Sequence, residues 1–170
     1  LTNADDMAPF LKEERDLWHG KAICVLRPGS TQEVSQLMKL CYETNTSVVP
    51  QGGNTGLVGG QTPDTSGKQV VLSLGRMDKV REIDTASNTA TIEAGLQLIR
   101  VQEVADGVDR LFPLSLASEG SCTLGGNLAT NAGGTQVITY GNARDLVTGL
   151  EVVLADGRIM STLSKLKKDN

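Results

Sequence analysis

Two stretches of this chain concentrate the residue types that could do chemistry. In both, the working groups are backbone amides and small polar side chains rather than acids, bases or nucleophiles. The first, Pro50-Gln51-Gly52-Gly53-Asn54-Thr55-Gly56-Leu57-Val58-Gly59-Gly60, puts five glycines in eleven residues. Where residues alternate between right-handed and left-handed conformations, successive N–H groups converge on one concavity, and such a nest binds phosphate. Gly53 is expected at the tightest point of that approach. The same glycines would also serve a tight multi-turn connector, so a phosphate cradle and a plain loop both stay open. The second stretch runs Gly120-Ser121-Cys122-Thr123-Leu124-Gly125-Gly126-Asn127-Leu128-Ala129-Thr130-Asn131-Ala132-Gly133-Gly134. Its mix of glycine with hydroxyl and amide side chains suits close backbone approach by a large flat ligand and hydrogen bonds to that ligand's oxygens. A connector explains its glycines, but explains Ser121, Thr123, Asn127, Thr130 and Asn131 less well.

Two common phosphate motifs are excluded by inspection. A Walker A loop needs Lys and Ser/Thr after its last glycine; Gly67-Lys68 is the one Gly-Lys pair, and it lacks both the upstream glycine and the following hydroxyl. No stretch has the GxGxxG spacing of the dinucleotide fingerprint. His19, the single histidine, lies upstream of the first expected strand and reads as a surface residue. Cys122 reads as a small buried residue inside the second stretch. Asp5-Asp6 and Glu13-Glu14-Arg15-Asp16 read as charges on a solvated face, and Lys165, Lys167 and Lys168 as a surface segment. No catalytic residue and no metal ligand is expected in the chain.

The elements that must position these stretches are short. Residues 4 to 19 are polar, with a short helix expected over Met7 to Leu11. Ile23 to Leu26 reads as a buried strand. Ser30-Thr31-Gln32-Glu33 has capping-box spacing and is followed by Val34, Leu37, Met38 and Cys41, which predicts an amphipathic helix to about Thr44. Ser47 to Pro50 is a second strand, so residues 23 to 50 form a β-α-β unit with parallel strands. Beyond Lys68, strands are expected over Val70 to Leu74, Val80 to Asp84 and Thr89 to Ala94, with antiparallel pairing. A helix is expected over Gln97 to Asp106. Asp156-Gly157 marks a hairpin between Leu150 to Ala155 and Arg158 to Thr162. The fold class is α+β: a small parallel β-α-β subdomain over residues 20 to 66, packed against a larger antiparallel-sheet subdomain over 67 to 170, after an N-terminal extension over 1 to 19.

Composition narrows the function classes. The 170 residues carry 16 Lys+Arg and 20 Asp+Glu, a formal charge of −4, which opposes non-specific binding to nucleic acid or an anionic membrane. With only Trp18, Tyr42, Tyr140, Phe10 and Phe112 as aromatics, the core must be aliphatic. The three cysteines lack CxxC spacing and fit a reducing compartment, cytoplasmic or, in a eukaryote, the mitochondrial matrix. No apolar run approaches the ~20 residues that span a bilayer, so a soluble chain is expected.

Taken together and in order, the two glycine-rich segments resemble the FAD-binding domain of the vanillyl-alcohol-oxidase (PCMH-type) superfamily. The likeness is greatest to its FAD-linked D-2-hydroxy acid dehydrogenases, such as D-2-hydroxyglutarate and D-lactate dehydrogenases. Tyr140-Gly141 and Gly149-Leu150-Glu151-Val152-Val153-Leu154-Ala155-Asp156-Gly157 are also similar to that branch, and the likeness covers about residues 20 to 170. The resemblance implies that Pro50 and the segment Gly52, Gly53, Asn54, Thr55, Gly56 and Leu57 wrap the FAD diphosphate with backbone amides. It implies that Gly120, Ser121, Gly125, Gly126, Asn127, Thr130 and Asn131 line the flavin and its ribityl chain, with Gly133, Gly134, Tyr140 and Gly141 completing that wall. Asn54 stands where covalent members carry histidine, so non-covalent FAD is implied. The implied reaction is oxidation of a 2-hydroxy acid to the 2-oxo acid by hydride transfer to flavin N5, with the electrons passing on to an unidentified acceptor. The substrate would be bound by a C-terminal domain absent from this chain, leaving the FAD-binding domain itself incomplete. A non-catalytic flavin or nucleotide-binding module is the competing reading.

Overall fold

The computed structural model describes residues 1–163. The lysines at 165, 167 and 168 lie outside the described residues. The chain forms two compact units, each described by itself below: Leu1–Arg76 with Val152–Met160, and Met77–Glu151 with the residues from Ser161 on.

The first unit is built on a three-stranded parallel sheet. Strand β1 (Ala22–Leu26) leads into helix α2 (Thr31–Glu43), and β2 (Val48–Gln51) follows, after the short α1 (Ala4–Met7) and a 3-10 turn (Ala8–Phe10). Helix α2 starts as its sequence dictates, with Ser30 Oγ accepting from the Glu33 N–H at 3.2 Å. The Glu33 carboxylate reaches one residue further back than a standard capping box, accepting from the Gly29 N–H at 2.8 Å. Thr31, Val34 and Cys41 form its buried stripe.

Strand β3 (Gln69–Ser73) corrects the sequence expectation. The sequence predicts it in the antiparallel half, but it lies between β1 and β2 and runs parallel to both, with Val71 opposite Val25 on one side and Val49 on the other. The division between the units therefore falls after Arg76 rather than near residue 66. The physical reason is visible in the run Val70-Val71-Leu72, buried throughout: a strand covered on both faces has no alternation, which is the signature of a central parallel strand. Residues 1–19 are likewise part of this unit rather than an extension from it. Met7 packs with Val25 and Val71, flanked by Phe10 and Leu11, and Leu1 exchanges backbone hydrogen bonds with Val25.

In the second unit β4 (Val80–Asp84) and β5 (Thr89–Ile92) pair antiparallel with a bulge after Val80, and α3 (Leu98–Asp106) follows. Two further short helices, α4 (Leu124–Ala129) and α5 (Val137–Tyr140), and a 3-10 turn at Ala143–Leu146 occupy a region where the sequence predicts no helix. Leu98, Leu114, Cys122 and Ala143 form its core, with Phe112, Leu116, Leu128 and Leu146 packed around it. Strands β6 (Glu151–Val153) and β7 (Ile159–Ser161) make the expected hairpin, turned at Gly157 with φ 86°, and all of it but Glu151 and Ser161 belongs to the first unit. Rather than one larger antiparallel sheet, the described residues form two separate two-stranded ladders. Within the second unit the Arg81 guanidinium lies 3.3 Å from the Glu93 carboxylate and 2.8 Å from that of Glu151.

Candidate functional site

The first glycine segment leaves the end of β2 through bends at Gly52 to Asn54 and continues irregularly through Gly56, all half-buried. Pro50 is exposed within β2, Thr55 is half-buried, and Leu57 is exposed. The left-handed residues of this loop are Asn54 (φ 55°) and Gly59 (φ 75°), so the conformation expected to centre on Gly53 is supplied by its neighbour. Asparagine tolerates that region because its short side chain can bond locally. Here it bonds further off: Asn54 Nδ2 donates to the carbonyls of Lys12 (2.7 Å) and Pro9 (3.1 Å). Its Oδ1 is buried with no hydrogen-bond partner. Gln51, buried directly ahead of the loop, donates from Nε2 to Phe10 O and to Gln61 O, both at 3.0 Å. Gln61 in turn closes the loop on itself through Nε2 to Gly56 O at 2.6 Å. Sequence reasoning passed over Gln51, whose signal was a lone amide in a strand otherwise apolar.

The residues bracing this loop include Glu13, which the sequence reading put on a solvated face. It is instead buried, with its carboxylate accepting from the N–H groups of Arg15 (2.8 Å) and Leu17 (2.6 Å). The Arg15 N–H first, then those of Leu17 and Trp18, hold the carboxyl below its usual range against the opposing push of burial. A carboxyl whose folded pKa is depressed contributes stability above its unfolded value, and that contribution is lost as pH falls through the folded value. Glu13→Gln should therefore melt below the parent at pH 7, and the two melting curves should converge below about pH 4. A gap that stays constant down to pH 3 would count against the carboxylate as its source. His19 is exposed, with Nε2 3.0 Å from Asp16 O.

The second segment is set by its pairing with residues 94–98. Leu98 N–H donates to Cys122 O (3.0 Å), Leu124 N–H to Leu96 O (2.9 Å) and Gly125 N–H to Ala94 O (2.8 Å). These bonds hold Leu124–Ala129 in a helix despite the adjacent Gly125 and Gly126, which disfavour one. Cys122 is buried, as expected. Thr123 stands at the N-cap of α4, yet its buried Oγ1 makes no cap bond and has no partner. Asn127 is also buried, with Nδ2 unpartnered. Ser121 and Thr130 are exposed, the latter bonding its own helix through Oγ1 to Gly126 O (2.9 Å). Asn131 adopts φ 49° and accepts from the Arg144 N–H at 3.0 Å.

The glycines of this segment separate into two kinds. A Cβ at Gly133 would meet Asn142 Oδ1 at 2.7 Å, one at Gly125 would meet Ala94 Cβ at 2.7 Å, and those at Gly134 and Gly141 would overlap the Ser115 carbonyl and the Asp145 carboxylate. The chain's own packing accounts for these four. Around Gly120 nothing lies within 4 Å, and at Gly126 only Thr123 Oγ1 does, at 3.6 Å. Neither packing nor a left-handed backbone accounts for glycine at those two positions. Tyr140 is exposed, at the end of α5.

The orphaned atoms fit FAD. A diphosphate accepts hydrogen bonds only, the ribityl and ribose hydroxyls both donate and accept, and the flavin ring offers carbonyls and one N–H. Asn127 Nδ2 needs an acceptor, Asn54 Oδ1 needs a donor, and Thr123 Oγ1 can take either. Buried polar atoms without partners are costly and few in native proteins, and among the described residues three of the four fall within the two glycine segments, the fourth being Thr62 Oγ1, two residues beyond the first. Thr123 becomes a candidate site residue through its orphaned hydroxyl, and the sequence-based cofactor set does not include it.

Comparisons with known proteins agree. A protein-family model described as an FAD binding domain matches residues 22–163. A mitochondrial D-2-hydroxyglutarate dehydrogenase of Bos taurus is 40% identical over 170 residues, all of this chain and 31% of the relative. The Danio rerio enzyme of the same name is 44% identical over 151 residues, 89% of this chain and 28% of that one. The chain thus spans about 30% of the length of the curated relatives it matches. Among solved structures, a xylooligosaccharide oxidase from Myceliophthora thermophila superposes with a TM-score of 0.82 at 20% identity, covering 95% of this chain and 34% of that one. That likeness shows the fold, α+β and PCMH-type. With its fold, its two glycine segments and a family match over most of its length in agreement, the chain belongs to the FAD binding domain family.

Proposed function

We propose that this chain is the FAD-binding part of a dehydrogenase that oxidises a D-2-hydroxy acid, of the D-2-hydroxyglutarate or D-lactate type, to the 2-oxo acid. The observation that carries the reading is the coincidence of unpartnered buried polar atoms with the two glycine segments, at Asn54, Thr123 and Asn127. Relatives named D-2-hydroxyglutarate dehydrogenase, similar along nearly all of the chain, supply the substrate class. When bound, FAD supplies the acceptor for the hydride of the substrate α-carbon. The chain's own part is to hold that acceptor. Backbone amides of Gly52 to Leu57 bind the diphosphate, while Thr123, Asn127 and the open glycines at 120 and 126 receive the flavin and its ribityl chain. We assign the substrate contacts, the group that takes the hydroxyl proton and the route to the electron acceptor to the length of the relatives that this chain does not cover. The working compartment is a reducing one, cytoplasm or mitochondrial matrix, consistent with three free cysteines.

The test uses protein expressed from the complete reading frame that contains this chain. It should purify yellow, and acid precipitation should leave the colour in the supernatant, because Asn54 has no ring nitrogen with which to attach the flavin. Anaerobic D-2-hydroxyglutarate or D-lactate should bleach the flavin band. FAD that binds but is reduced by neither acid would favour a non-catalytic flavin-binding module.

A further inference from the structure

The first glycine loop is fastened to a segment that precedes the region matched by the family model, which begins at residue 22. Five contacts make the attachment, all within the first unit. Gln51 Nε2 bonds Phe10 O at 3.0 Å, and Asn54 Nδ2 bonds Lys12 O and Pro9 O at 2.7 and 3.1 Å. The Arg15 guanidinium donates to Leu57 O. The Trp18 ring lies against Gly59, its atoms 3.1 Å from where a Cβ of that residue would stand. The segment is itself made rigid by the buried Glu13 carboxylate, which ties the N–H groups of Arg15 and Leu17, and by Met7 in the core.

These contacts have a chemical consequence. Both Nδ2 hydrogens of Asn54 are committed to carbonyls, so its side chain offers the ligand only an acceptor oxygen and cannot itself bond a phosphate. Phosphate binding by this loop must come from its backbone N–H groups, whose directions depend on the backbone being held. We infer that residues 9–18 are a clamp that fixes the first glycine loop in its binding conformation, with Arg15 and Asn54 as positioning residues, so that affinity for FAD depends on a segment outside the loop. This rests on the reading of the loop as the FAD diphosphate site.

Arg15→Ala tests it best, because the side chain is half-exposed and its loss should leave the fold intact. In flavin-stripped full-length protein titrated with FAD, we expect the Kd to rise roughly three- to tenfold, the loss of one hydrogen bond's contribution. Amide hydrogen exchange should quicken in the peptide covering residues 52–60 of the flavin-free protein and stay unchanged elsewhere. The thermal midpoint should move by no more than about 2 °C. Arg15→Lys, which keeps one charged donor, should recover part of the affinity. Trp18→Ala should give the same pattern through a different contact. Parent protein that binds FAD, with Arg15→Ala unchanged in both affinity and loop exchange, would overturn the clamp alone. A fall in affinity matched by a large loss of stability and by faster exchange throughout the unit would show Arg15 to be merely structural, and would overturn it too. Parent protein that binds no FAD would overturn the functional reading, and the clamp's role in affinity with it.

Discussion

Gly134→Ala is expected to lower the thermal midpoint of the protein by roughly 6 to 12 °C, from a cost on the order of 3 kcal/mol. The position its Cβ would take is already occupied by the Ser115 carbonyl oxygen, with Leu116 Cδ2 only 3.3 Å away. Ser115 cannot simply give way. Its carbonyl belongs to the backbone, it accepts from the Thr135 N–H at 3.4 Å, and the preceding Leu114 is anchored in the core with Leu98 and Cys122. Relief therefore requires moving either that core residue or the turn that follows α4. Gly120→Ala is the matched control in flavin-free protein, since nothing within 4 Å would meet the new methyl group, and its midpoint should stay within about 1 °C of the parent. Differential scanning calorimetry of the two variants decides the matter. Equal midpoints would mean that the close approach of Gly134 to Ser115 is not a constraint on the fold.

Thr123→Val should move stability and affinity in opposite directions. In the flavin-free protein, the Thr123 hydroxyl is buried without a partner and stands at an N-cap without capping. Replacing it with a methyl group of the same shape removes the cost of burying that hydroxyl, about 1 kcal/mol or more, so the apoprotein should melt about 2 to 4 °C higher. If the hydroxyl is there to bond FAD, the same change should weaken FAD binding about tenfold, the equivalent of 1.4 kcal/mol. Melting of the apoprotein and a fluorescence titration with FAD measure the two effects. A variant that is both more stable and unimpaired in FAD binding would remove Thr123 from the site. One that is less stable without flavin would mean that the hydroxyl has a partner in solution.

Several parts of the molecule could be read from the residues alone because their causes act over a few positions. The Ser30-to-Glu33 spacing starts α2, and Asp156-Gly157 turns the β6–β7 hairpin. A chain nearly without aromatics has aliphatic clusters at both of its cores. The two glycine segments suggested a phosphate and a large flat ligand because binding them demands particular residues at close spacing, and it was their resemblance to a known family that made the ligand FAD. What the sequence did not reveal depends on segments far apart in the chain. Strand order is one such case: β3 follows the glycine loop, but the space between β1 and β2 is the place where its unbroken apolar run is covered on both faces. Another is the reason for each glycine. Nothing local distinguishes Gly134, excluded from a side chain by Ser115, from Gly126, which faces open space in the same stretch. Glu13 and Asn54 looked like a surface charge and a loop amide. Folding brought the distant carbonyls of Pro9 and Lys12 to Asn54 and made its amide a tether, while the Glu13 carboxylate became a buried acceptor through a turn that brings the N–H groups of Arg15 and Leu17 back to it. Short-range spacing thus determined the elements, and the family resemblance of the two glycine segments supplied the ligand class. Close approach between distant backbones, which leaves no periodicity in the sequence, decided the order of the sheet and which residues hold the loop.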